Sequence, residues 1–158
     1  MIGRYLQILA DSLKQKSDLL DRLVLESNRQ AECVKAEKVD WTAFDESVEE
    51  KGRLIEELEK LDQGFDTVYD RIKEGLEEGR EKYKNEILQM QELIRAVTEK
   101  SSNLMAVEQR NKQLVTNRFA EEKKKFSSQK VNAKVATNYY NSMNRINYVD
   151  PQLMDKKK

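Results

Sequence analysis

The chain has 158 residues, 37% of them charged and 38% apolar, with five glycines and a single proline. Basic and acidic residues balance at 29 each, so no global field would draw the protein onto nucleic acid or an anionic membrane. So much charge in about one domain's length excludes a compact α/β core and favours long helices, each carrying a solvated face from end to end.

The first segment opens with MIGRYLQILADSLKQK, which lacks the apolar stretch and cleavage site of a signal peptide. No run approaches the length of a membrane span, and a soluble, cytosolic protein is expected. Its apolar residues recur at alternating spacings of three and four: Ile2, Leu6, Leu9, Leu13, Leu20, Leu23, Ala31 and Val34. That is the seam of a helix packing along its length, interrupted at Lys16 and Ser27. Cys33 is the only cysteine, which rules out an intramolecular disulfide and suits a reducing compartment. Its ordinary reading is a small, half-buried helix residue rather than a reactive thiol.

The stretch KAEKVDWTAF reads as a helix stop followed by a helix start. Asp40 is a good N-cap, since its carboxylate can accept a free N–H of the first turn. Val39 and Phe44 flank it as a hydrophobic staple. Trp41 is expected to anchor the end of the bundle by packing rather than to stand out as a binding residue.

The second helix runs through Phe44, Val48, Ile55, Leu58, Leu61, Phe65, Val68, Ile72 and Leu76. Gly64 weakens it by about 1 kcal/mol relative to alanine without ending it. Gly75 and Gly79, four apart in KEGLEEGREKY, fit a C-terminal stop. One continuous helix across them is the alternative, and it would make a much longer rod. The carboxylates of ESVEEKGRLIEELEKLD alternate with Lys and Arg at helical spacing, the pattern of a solvated face and not of a catalytic pair.

The third helix is carried by Tyr83, Ile87, Met90, Ile94, Val97, Leu104, Leu114 or Val115, and Phe119, towards Phe126. Three helices of roughly 35–45 residues would each be about 50–65 Å long. Joined by short turns, they must fold back antiparallel to bury their stripes. The fold class is therefore all-α: an elongated, coiled-coil-like bundle over residues 1–128, followed by an amphipathic segment over 129–158. Within LMAVEQRNKQLVTNRF, Glu108 and Asn111 fall where a strict seam would continue from Leu104. Either they are polar seam residues that fix register or partner, or a local stutter turns Val107, Leu114 and Phe119 inward instead.

From residue 129 the character changes. Asparagine, a poor helix former, occupies positions 132, 138, 141, 144 and 147. Val131, Val135, Tyr139, Met143 and Ile146 nevertheless keep helical spacing, with Tyr140 and Tyr148 beside them, before Pro151 ends the pattern. Such a segment is marginal alone and folds against something. It is also basic: residues 120–158 carry nine basic and four acidic groups, against 20 and 25 in residues 1–119.

The chain has no histidine, the commonest general base and metal ligand, and its glycines are isolated, so no phosphate loop forms. The basic runs EEKKKFSSQK and DKKK are too short, and too closely flanked by acid, for a nucleic-acid surface. No catalytic, cofactor-binding or metal-ligating residues are assigned, and no enzyme is expected.

Taken in order, the helical N-terminus, the capped VDWTAFDESVEEKGRLIEELEKLD, a third helix containing EQRNKQL and the ending KVATNYYNSMNRINYVDPQLMDKKK resemble the FlgN family of flagellar export chaperones. The resemblance spans essentially the whole chain, and FliT-type chaperones are related to that family. It implies a small, all-helical cytoplasmic protein, monomeric or weakly dimeric, without a cofactor. Such a protein binds the C-terminal helical segments of hook-associated (hook–filament junction) proteins, prevents their premature assembly and delivers them to the export apparatus. The expected client-facing residues are Val131, Val135, Tyr139, Tyr140, Met143, Ile146 and Tyr148. If the tail is instead a fourth structural helix, the site should lie on the seam at Gln109, Asn111 and Leu114. Two other classes compete: a structural coiled-coil adaptor, and a basic-tailed protein that binds nucleic acid in a salt-sensitive way.

Overall fold

In the computed structural model, which describes residues 1–125, the chain forms three α-helices: α1 over Ile2–Lys35, α2 over Trp41–Glu78 and α3 over Lys84–Lys125. The breaks fall where the sequence places them, near residues 37–41 and 75–81. Gln30 of α1 meets Lys51 of α2, and Lys16 meets Asp62, so these two helices run antiparallel. Asp21 meets Lys100 and Ser27 meets Asn111, so α3 runs back alongside α1 in the same direction. Both α2 and α3 pack closely on α1. They approach each other less closely, meeting through long side chains such as Lys51 with Glu108 and Trp41 with Phe119.

The three and four spacings bury one continuous core. Leu9, Leu20 and Leu23 of α1, Phe44, Leu54 and Leu58 of α2, and Leu104 and Val115 of α3 are all essentially inaccessible. The seam of α1 runs straight through its two polar interruptions. Ser27 is fully buried, while Lys16 lays its aliphatic stem in the seam and carries its ammonium to Asp62 at 2.8 Å. Leu54 and Tyr69 join the core beside the predicted residues of α2, whereas Leu61, Val68 and Leu76 are only half-buried. In α3 the polar-seam reading holds at Glu108 and Asn111, both buried beside a buried Val107.

Asp40 caps α2 as expected: its Oδ1 accepts from the Ala43 N–H at 3.0 Å, from an extended backbone at φ −90°. Val39 and Phe44 on either side both belong to the core. Asp40→Ala should therefore cost about 0.5–2 kcal/mol of unfolding free energy. Urea denaturation followed by circular dichroism checks this, and an unmoved midpoint would mean that the cap contributes nothing.

The stop at Gly79 has a different physical basis from a left-handed glycine cap. Gly79 sits at φ −99°, ψ 27°, and no described residue has a positive φ. At Gly75 the start of α1 comes close: a Cβ there would lie 2.7 Å from Ile2 Cδ1, the movable tip of that side chain.

Candidate functional site

The most unusual chemistry among the described residues is a polar layer inside the bundle, built from one stretch of each helix. Lys51 of α2 is wholly buried, and its ammonium lies 2.8 Å from Glu108 Oε1 on α3. The same ammonium donates to Gln30 Oε1 on α1 at 3.0 Å. Ser27 Oγ of α1 donates to the Glu108 carboxylate, and Asn111 Nδ2 of α3 donates to the Ser27 carbonyl at 2.6 Å. All three helices are thus tied at one level by charge-assisted hydrogen bonds, the strong kind in a low-dielectric interior.

The layer is not fully satisfied. Glu108 Oε2 is buried without a hydrogen-bond partner. Burial pushes the Lys51 ammonium down to about 8, outweighing the upward pull of Glu108 and, more weakly, Glu26. Both charged ends are closed off from solvent, so the arrangement aligns helices and offers no open position to a reacting molecule. A polar layer of this kind lowers stability and selects one alignment over the shifted ones.

At the Trp41 end, an aromatic trio closes the bundle. Trp41 packs on Phe44 and on Phe119 at centroid distances of 5.5 and 5.0 Å, and Phe44 and Phe119 lie edge to face at 5.7 Å. Trp41 is therefore the expected packing anchor. At the opposite end, under the α2–α3 turn, Leu6, Leu9, Leu76, Ile87 and Met90 line a small apolar hollow of about 60 Å³ that opens to solvent.

Of the sequence-derived partner-binding residues, Val131, Val135, Tyr139, Tyr140, Met143, Ile146 and Tyr148 lie outside the described residues. The alternative seam trio does not share one face. Gln109 is exposed, Asn111 is buried in the polar layer, and Leu114 is half-buried against the core. Sequence reasoning missed Lys51 and Gln30. The available signal was spacing: Lys51 falls three after Val48 and four before Ile55, on the seam of α2.

Cys33 is half-buried, and burial, with Asp40 adding to it, pushes its thiol up from 9.0, away from the thiolate that makes a cysteine reactive. Among the described residues no group of three or more Cys, Asp or Glu is placed to hold a metal ion. None of their helices is long and apolar enough to cross a membrane. The exposed Ile8 and Leu25 lie about 25 Å apart along α1, as do Leu88 and Met105 along α3, so they do not join along either helix. Compared with known proteins, the chain matches no family model, no curated protein and no solved structure.

Proposed function

We propose that this protein is a flagellar export chaperone of the FlgN type. It holds the C-terminal helical segment of a hook-associated protein in the cytoplasm, prevents its premature assembly and hands it to the export apparatus. The observation that carries the reading is the composition of residues 131–149. Val131, Val135, Tyr139, Met143 and Ile146 are spaced for one helix face yet set among asparagines. That face follows a bundle whose described residues already bury a continuous core from Leu6 to Val115. An amphipathic segment that is marginal alone suits pairing with a client's amphipathic helix. Met143 supplies a deformable contact and the tyrosines amphipathic ones. The basic flanks of the segment suit an acidic client.

The test replaces Tyr139, Met143 and Ile146 together by alanine in the full chain. Thermal melting of the bundle should stay nearly unchanged, while affinity for a hook-associated protein's C-terminal segment should fall about tenfold or more, since interface anchors typically cost above about 1 kcal/mol each. Isothermal titration calorimetry and circular dichroism read the two effects separately. Early melting with affinity retained would make the tail a structural fourth helix. No binding by the wild-type chain would favour a coiled-coil adaptor.

A further inference from the structure

We propose that the α2–α3 turn is a hinge at which two copies of this chain exchange α3. Opened, the turn would join α2 and α3 into one helix, and each α3 would pack on the α1 of the other copy. The proposal is independent of the client and of the export reading.

The first observation is the backbone of the turn. Gly79 N–H donates to the Gly75 carbonyl at 2.9 Å, Tyr83 N–H to Gly79 at 3.1 Å and Ile87 N–H to Tyr83 at 2.9 Å. These are the bonds a continuous helix would make at those residues. No described residue takes a left-handed conformation, so straightening the chain requires no escape from a glycine-specific geometry. Arg80, Glu81 and Lys82, between the bonded positions, are good helix formers.

The second observation is what α3 holds on to. Its close packing is with α1, not with α2, from which it is separated by long side chains. Asp21–Lys100, Ser27–Glu108 and Ser27–Asn111 can all be remade between copies without change. Lys51–Glu108 becomes a contact between chains in the same way. Closed and exchanged forms then differ only at the hinge and in the entropy of pairing, which concentration offsets. The opened helix would run from Trp41 to Lys125, roughly 125 Å.

Gly79 gives the means to shift the balance. A Cβ there would stand 3.3 Å from the Tyr83 ring, which must give by a few tenths of an ångström in the closed turn, while alanine favours the open helix. In the full chain, refolded at high concentration and run on size exclusion with light scattering, Gly79→Ala should raise the dimer fraction several-fold over wild type. A four-residue Gly/Ser insertion after Arg80, which relieves a short hinge, should leave the chain monomeric. Exchange is distinguished from side-by-side pairing by an Asp21→Cys/Lys100→Cys chain in a Cys33→Ala background, bridged with a short bismaleimide. The isolated dimer should yield chains linked to each other on a denaturing gel. Intrachain links only in that dimer would overturn the proposal. So would a Gly79→Ala chain that stays monomeric at every concentration, or a dimer that the insertion leaves unchanged.

Discussion

Lys51→Met alone should destabilise the bundle by about 3–5 kcal/mol, and Glu108→Leu alone by a similar amount, whereas the double variant should cost far less than the sum of the two. The reason is the depth of the pair. Lys51 is fully buried and Glu108 is 4% exposed, so removing either charge leaves the other in the interior without its counter-ion. Glu108 is the more exposed to this penalty in chemical terms, because its Oε2 already lacks a hydrogen-bond partner. Replacing both ends with apolar side chains of similar volume removes two desolvation costs, but it also removes the ion pair and the hydrogen bonds of Lys51 to Gln30 and of Ser27 to Glu108, leaving those two buried groups without these partners. Urea titrations of the four proteins give the coupling energy. A cost below about 1 kcal/mol for Lys51→Met would mean that the ion pair is not buried in solution.

The same pair gives stability a pH signature. Burial lowers Lys51 from 10.5 to about 8 in the folded protein. Between those values the unfolded chain holds a proton that the folded one has released, so stability rises with pH across the window. Below about 8 both states carry the proton and the contribution stays at its lowest. The difference in unfolding free energy between wild type and the Lys51→Met/Glu108→Leu variant, measured from pH 7 to 10, should move in favour of wild type as pH rises. A flat difference would refute the desolvation of Lys51.

Phe44→Ala should cost about 3–5 kcal/mol, the range for truncating a buried phenylalanine. Phe44 is 1% exposed, belongs with Val39 to the core and touches both Trp41 and Phe119. Its removal opens a cavity at the one place where the aromatic side chains of α2 and α3 meet. Trp41, the only tryptophan, reports on that end by its fluorescence, while circular dichroism reports on all three helices. Both probes should shift together to lower urea concentration. A large shift in fluorescence with an unmoved helical signal would mean that the aromatic end frays separately from the rest of the bundle.

By itself the sequence determined what local chemistry determines. The three and four spacings marked three helices, Asp40 marked the start of α2, and the Gly75–Gly79 pair marked its end, because periodicity, capping and turn propensity act within a few residues. It grouped Gln109, Asn111 and Leu114 on one seam, although residues two apart on a helix cannot face the same way. Only the tertiary structure decided which of them turns inward. Lys51 is the clearest case. In a chain with this many charges, a lysine on the seam reads the same whether it reaches solvent, as Lys16 partly does through Asp62, or stays inside. What settles the matter is the glutamate that α3 brings to it from 57 positions away and the glutamine that α1 brings from 21. Those pairings depend on the registers of two helix interfaces, and no local pattern records a register.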